Sequence, residues 1–282
     1  MALPGFSHAN IATRWAPQAP SVFGDKETMN KSAVLFLIVC SVSAGTASQA
    51  AAQGATWADR GYVNVGWGVE SGSSAMTDSQ TAPIYEETAT ITSSSTFSSG
   101  SLFDVGVGIR VWRNLIAGVA YHQEQNDTEG SLTGSIPSPV FFNRPRTLNH
   151  PVPGLERKEK AAHLQIGWVV PIGAKFDVMV FGGPSFFRME QDVVSEVAIG
   201  EQGGSFETVV ADPTVVTRKQ SQTGFNVGAD ATYLLWSNDS VRLGVGGFVR
   251  FTQADMNIEM LSTSQPTTAG GMQFGFGARM RF

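Results

Sequence analysis

The chain has 282 residues, of which 42% are hydrophobic, only 15% are charged and 31 are glycine. Its formal charge is −5 and its basic residues are scattered, which excludes the clustered positive footprint of a nucleic-acid-binding protein. No stretch reaches the ~20 apolar residues that a membrane-spanning helix needs, so entry into a bilayer would have to use a closed sheet, in which every backbone group is paired.

Residues 1–28 carry Pro4, Pro17 and Pro20 and no apolar period. They read as a disordered extension, or as sequence upstream of a true start at Met29. Residues 29–52 have the three parts of a secretory signal: Asn30-Lys31 as a basic head, an apolar run from Ala33 to Val42, and Ala50-Ala51-Ala52 before the cleavage point. Cys40, the only cysteine, lies in this segment, so neither a disulfide nor a thiolate metal site is expected in the mature chain. Residues 53–60 form a short periplasmic lead-in.

From there the chain alternates with a period of two, the signature of a strand. Residues 61–70 put Val63, Val65, Trp67 and Val69 on one face and Asn64, Gly66, Gly68 and Glu70 on the other. After a Ser/Thr-rich segment suited to solvent (71–100), strand 102–112 sets Phe103, Val105, Val107, Ile109 and Val111 against Asp104, Gly106, Gly108 and Arg110. A two-residue turn leads to strand 115–125, with His122 and Glu124 on its polar face. A long loop follows, and then strand 160–170 with His163 and Gln165. Strand 176–189 carries Asp177 and Met179 inward, and its Gly182-Gly183-Pro184 suggests a bulge or bend at mid-strand. The loop 190–222 contains Val-rich pieces that prolong the hairpin. Strands 224–234, 241–252 and 271–282 complete the set, with Asp230, Arg242, Arg250, Arg279 and Arg281 on their polar faces.

Eight strands joined alternately by long and short connections, with glycines and charges on the second face, predict an all-β fold: an eight-stranded, antiparallel, up-and-down transmembrane β-barrel over 61–282, apolar outside and polar within. Both termini and the short turns then share the periplasmic side. Trp112, Phe176, Trp236 and Phe282 fall near one level there, where an aromatic girdle belongs.

The signal segment, the alternating strands, the terminal Phe-Gly-Phe-Gly-Ala-Arg-Met-Arg-Phe and the Gly-Gly-Pro-Ser-Phe-Phe of the fifth strand resemble the OmpA/OmpX-type eight-stranded outer-membrane β-barrel superfamily over about residues 62–282. The resemblance implies that Phe274, Phe276, Met280 and Phe282 help to present the chain to the barrel assembly machinery. It implies a bacterial, Gram-negative-type outer membrane, with lipid and lipopolysaccharide around the barrel.

The inner face carries the candidate chemistry. Arg110, Asp177, Asp230, Arg242, Arg279 and Arg281 sit toward the periplasmic end and Arg250 toward the outer mouth. These seven form an expected charge network in which Arg242 and Arg279 balance Asp177 and Asp230. His122, Glu124 and His163 could be assembled into a hydrolase-like or metal-binding set. No serine stands at a recognisable spacing, however, and rim histidines in barrels are commonly solvated, so no catalytic, cofactor or metal residue is assigned. Three functions remain: loop display with a structural, adhesive or envelope-integrity role and an extracellular ligand taken by the loops; a narrow conduit for small molecules; and a lipid-modifying enzyme. N-terminal sequencing of protein from outer-membrane fractions should begin at Gln53; a retained 29–52 segment would contradict the signal assignment.

Overall fold

The computed structural model describes residues 56–282 except 73, 99, 203–205, 207, 239 and 261–262, and Trp57–Phe282 belong to one compact unit. The 1–28 extension, the signal segment and the first three residues of the lead-in lie outside the described residues. Eleven strands occur among the described residues: β1 (Gly61–Ser71), β2 (Ser74–Ile84), β3 (Glu87–Phe97), β4 (Gly100–Trp112), β5 (Leu115–Ile136), β6 (Arg146–Pro171), β7 (Phe176–Gln202), β8 (Thr208–Ser237), β9 (Arg242–Glu259), β10 (Ser264–Ala269) and β11 (Met272–Arg281). Eight of them close a ring through antiparallel neighbours in the order β1-β4-β5-β6-β7-β8-β9-β11 and back to β1. This is the transmembrane β-barrel. The remaining three belong to the loop end.

Closure is completed at the chain terminus. Gly61 N donates to Phe282 O at 2.8 Å and Phe282 N returns to Gly61 O at 3.1 Å. Inside the ring, glycines receive large side chains. The Tyr62 ring lies over Gly108 and Gly118, where a Cβ at Gly118 would stand 2.6 Å from the Tyr62 hydroxyl, and Phe248 likewise covers Gly275.

The outward face is apolar over about 9–11 residues of each ring strand, enough to cross a bilayer with the usual tilt. Trp67, Ile109, Ile166 and Phe276 are among its exposed members. At the loop end the strands run on, and the two faces exchange polarity without changing phase. On β7, Phe186 outside and Ser185 inside give way to Arg188 and Glu190 outside and Phe187 and Met189 inside. On β9, Val249 and Phe251 outside, with Arg250 and Thr252 inside, give way to Gln253, Asp255 and Asn257 outside and Ala254, Met256 and Ile258 inside. A face that turns from apolar to charged along one strand marks where lipid ends and water begins.

Above that level the strands enclose two apolar clusters. One gathers Met76, Phe97, Phe187, Met189, Val193, Met256 and Ile258; the other gathers Ile91, Leu132, Ile136, Leu148, Val152, Leu155 and Val194. Each buried side chain of this kind contributes roughly 1.5–3 kcal/mol, so the extension holds itself up as a water-soluble sheet would.

Three expectations need correction here. Residues 71–100 are not a solvent loop but the hairpin β2–β3, whose turn residues Tyr85 (φ 51°) and Glu86 (φ 62°) both take the left-handed conformation of a type I′ turn. Its Ala89, Ile91, Ser93, Ser95 and Phe97 are buried, and small hydroxyl residues among the apolar ones masked the alternation. Gly182-Gly183-Pro184 makes no bulge. The register is the same on both sides of it (His163↔Ser185, Ile166↔Gly182), and Gly183 is there because a Cβ would strike the Leu164 carbonyl. The bulge on β7 falls between Val194 and Glu196, so that Val193 and Val194 both point inward, one into each apolar cluster. Finally, β5 to β9 are 18–30 residues long, far beyond the spans expected for crossing alone.

In the extension the ring is not closed. Among the described residues β2 and β10 are edges, paired to β3 and β9 alone, and they face each other across a seam bridged by Thr263 Oγ1 donating to Asp78 Oδ1 at 3.2 Å. Phe282→Asp should lower the yield of folded barrel, read as the band that shifts on boiling in a denaturing gel, well below that of Thr96→Asp, an exposed change on β3. Equal yields would contradict a closing role for the terminal residue.

Candidate functional site

The lumen of the ring is filled in two charged tiers. At the turn end, β11 points Arg279 and Arg281 inward, and β8 and β7 supply Asp230 and Asp177. Arg279 holds Asp230 with Nη2 at 2.6 Å and Nε at 3.0 Å. Arg281 reaches Asp177 at 3.4 Å, donates to Thr232 Oγ1 at 2.6 Å and to Asn64 Oδ1 at 2.8 Å, and lies 3.8 Å from Asp230. All four charged groups are buried.

Arg242 does not balance Asp177. It pairs with Asp59 of the lead-in, Nε to Oδ1 at 2.8 Å, while Arg110 donates to the Trp57 carbonyl. The Trp57 amide is in turn held by Asn114 Oδ1 at 2.9 Å. Trp57 is 2% exposed and packs with Tyr62, Ile116, Val169, Met179 and Phe181. The lead-in is therefore a plug, which sequence reading missed; a lone Trp and Asp in a short polar segment carry no periodic signal. Around it at the ring's edge, Trp112, Trp236 and Phe282 are exposed and Phe176 is half-buried.

The second tier lies at the loop end of the ring. Arg250 donates to Asp104 at 2.7 Å and to Gln273 Oε1 at 2.6 Å, and Gln273 donates to Glu70 at 2.6 Å. Beside them runs a chain of imidazoles. His122 Nδ1 lies 2.7 Å from His163 Nε2, His163 Nδ1 lies 2.7 Å from Ser185 Oγ, and Asn226 Nδ2 donates to that hydroxyl at 2.9 Å. With both rings neutral, each having one donor and one acceptor nitrogen, the donors of the chain run in a common direction, either toward Glu159 or toward Ser185. Beyond His122, Glu159 Oε1 stands 3.6 Å from Nε2, and Glu159 Oε2 accepts from Gly270 N at 3.1 Å and Arg157 at 3.4 Å.

These histidines are not solvated rim residues. Both are fully buried, and a serine does lie within reach of one. It comes from β7 through the register pair His163↔Ser185, which no spacing in the chain could reveal. The acid that meets the imidazole chain is Glu159; Glu124 lies across a neighbouring cavity. Ser185 is itself fully buried and held by Asn226, and it lines neither of two cavities in the lumen. One, of about 20 Å³, lies between Asp104 and Arg250 above and Asp230 and Tyr62 below, with room for about one water. The other, of about 120 Å³, opens at the loop end past exposed Gly72, Ser98 and Thr268, and its walls include Glu70, Glu124, Arg157 and Glu159.

A ring of eight strands, apolar toward lipid and packed inside with paired charges, defines a transmembrane β-barrel with a filled lumen. No family model matches the chain, and no curated protein is significantly similar to it in sequence. Among solved structures it is similar to Neisserial surface protein A, with 13% identity and a TM-score of 0.34 over 79% of this chain and 97% of that one. It is also similar to the outer membrane protein OprG from Pseudomonas aeruginosa, with 11% identity and a TM-score of 0.40 over 82% of this chain and 98% of that one. The fold assignment rests on the strand pairs rather than on these likenesses.

Asp230→Asn would leave Arg279 without its carboxylate and Arg281 with Asp177 alone. Breaking a buried pair from one side typically costs about 3–5 kcal/mol, so urea unfolding of the refolded barrel should shift by roughly that amount, against less than about 0.5 kcal/mol for the exposed Asp127→Asn. Equal midpoints would show that the tier adds nothing to stability.

Proposed function

We propose that this chain is an integral outer-membrane barrel whose task is display: it raises a self-supporting β-sheet pillar above the outer leaflet and lets no solute through its own lumen. The observation that carries the reading is that side chains block the interior at successive levels, with the cavity at the mouth and the one-water void between tiers left among them. The Trp57 plug, the Asp177-Asp230-Arg279-Arg281 tier, the Arg250 tier and the two apolar clusters follow one another along the barrel axis. An eight-stranded ring has an interior only wide enough for side chains or one small ligand, whereas water-filled porins use about 16–18 strands.

The finer role, adhesive or structural, is supported by the tip. Arg146 ties the β5–β6 and β7–β8 connections together there, bonding Glu201 at 2.8 Å, the Phe206 carbonyl at 2.6 Å and the Pro137 carbonyl at 2.7 Å, and the β2–β3 turn joins them through the Tyr85 hydroxyl, which donates to Glu201 at 3.3 Å. The tied tip leaves Phe141, Phe142 and Phe206 exposed. Aromatics held out on a rigid frame suit contact with a partner at little ordering cost. For an enzyme the buried Ser185 is unfavourable, since a nucleophile must meet its substrate. For a conduit, the cavity beneath the seam is walled mostly by polar and charged groups, with Phe97 its one large apolar side chain, and the Arg250-Asp104 pair fills the lumen beyond its walls.

In planar bilayers the refolded protein should give no stable large conductance, and liposomes containing it should not swell in sugars. A tag inserted in the 138–142 connection should be reached by antibody on intact cells. Steady, porin-sized currents would replace the display reading with the channel reading.

A further inference from the structure

The acidic cavity at the outer mouth is organised around an atom with nothing to bond. Glu159 is 2% exposed, its Oε2 is taken by Gly270 N and Arg157, and its Oε1 has no hydrogen-bond partner. That oxygen faces His122 Nε2 across 3.6 Å, too long for a hydrogen bond. The gap is close to the roughly 3.4 Å that separates two ligand atoms on a tetrahedral zinc ion with bonds near 2.1 Å. Glu70 offers a third donor, so that ligand atoms of Glu70, His122 and Glu159 all lie within 4.8 Å of one another, and Glu124 lines the same cavity.

We propose that a divalent transition-metal cation binds between Glu70, His122 and Glu159 where the cavity wall formed by Glu70 and Glu159 meets the buried His122, with Glu124 of the same wall as an available fourth ligand. Charge favours it. The carboxylates of Glu70, Glu124 and Glu159 stand near Arg157, while Arg250, 3.4 Å from His122 Nδ1, already has its charge matched by Asp104, so a doubly charged ion offsets the remainder. An imidazole among the carboxylates selects a first-row transition ion such as Zn²⁺ over Ca²⁺ or Mg²⁺, which prefer oxygen throughout.

The imidazole chain then acquires a purpose. With Nε2 on the ion, the His122 Nδ1-H donates to His163 Nε2, and the His163 Nδ1-H donates to Ser185, the supporting arrangement metal-bound histidines use. His163 is a positioning residue in this scheme. The ligands come from β1, β5 and β6, and β1 and β6 are not neighbours in the ring, so the ion would staple the mouth across the lumen. The cavity opens past Gly72, Ser98 and Thr268, which supplies the entry path.

The test uses the refolded, EDTA-treated mature protein in detergent, titrated with Zn²⁺ alone and followed by calorimetry and by metal analysis after desalting. One zinc per chain is expected. Glu159→Gln and His122→Gln should each weaken binding at least about tenfold, and His163→Phe by about 10- to 100-fold through the supporting hydrogen bond. Glu156→Gln, a partly exposed carboxylate change outside the cavity, should leave it unaltered. The boiling-dependent gel shift reports folding of each variant independently, and Glu70→Gln, on another strand, serves if Glu159→Gln does not fold. Absence of stoichiometric zinc on the folded protein, or retention of wild-type affinity by folded His122→Gln and Glu70→Gln, would overturn the site. Because conductance is not among the readouts, this result and the test of the display reading can fail separately.

Discussion

Lipid offers the backbone no hydrogen-bond partner, and most of this structure follows from that one deficit. Each amide that enters the bilayer must find its partner on a neighbouring strand, so the sheet must close. Here closure falls to β1 and β11, with the bonds between Gly61 and Phe282 at the end of the seam. A closed ring has an inside, and an inside of eight strands is too narrow for bulk water yet too polar at Asp104, Asp177, Asp230 and Arg250 to be left unpaired. The ionic tiers answer that requirement, and their strength comes from the exclusion of water that made them necessary.

The same alternation then serves two solvents in succession. Along β7 and β9 the phase of the side chains does not change at the membrane boundary; only the residue types exchange faces. Inside the bilayer the core of the protein is its ionic lumen and the apolar face meets lipid. Above the bilayer the core is apolar and the polar face meets water. The ring needs full closure only where lipid surrounds it, and above that level β2 and β10 can remain edges, because water can satisfy the groups they leave unpaired. The seam and the acidic cavity beneath it are consequences of that relaxed requirement.

The mouth of the ring is where these two regimes meet, and it holds the most unusual chemistry of the molecule. A polar lumen ends there, an apolar core begins within a few residues, and Phe187 packs edge-on against both His122 and His163. Groups at such a junction are desolvated from one side and open to a polar cavity on the other. That combination leaves Glu159 with one oxygen well bonded and the other facing His122 without a donor in reach.

Which residues face lipid and which face the lumen was decided locally. A strand alternates at every residue, so the exposed positions of Trp67, Phe103, Ile166 and Phe276 and the buried ones of Asp104, Asp230 and Arg279 are legible from neighbours in the chain alone. The eight long alternating runs were therefore readable, while the β2–β3 hairpin, with serines in its core positions, was not. Which side chains meet was decided by ring closure and register, which join residues with no sequence relation. Arg281 and Asn64 are 217 positions apart, and Arg242 and Asp59 are 183 apart. The pairing of Arg242 with the lead-in, the plug at Trp57 and the chain from Asn226 through Ser185, His163 and His122 to Glu159 exist because particular strands became neighbours at a particular stagger, and that choice is made by the energy of the whole closed sheet rather than by any one of its segments.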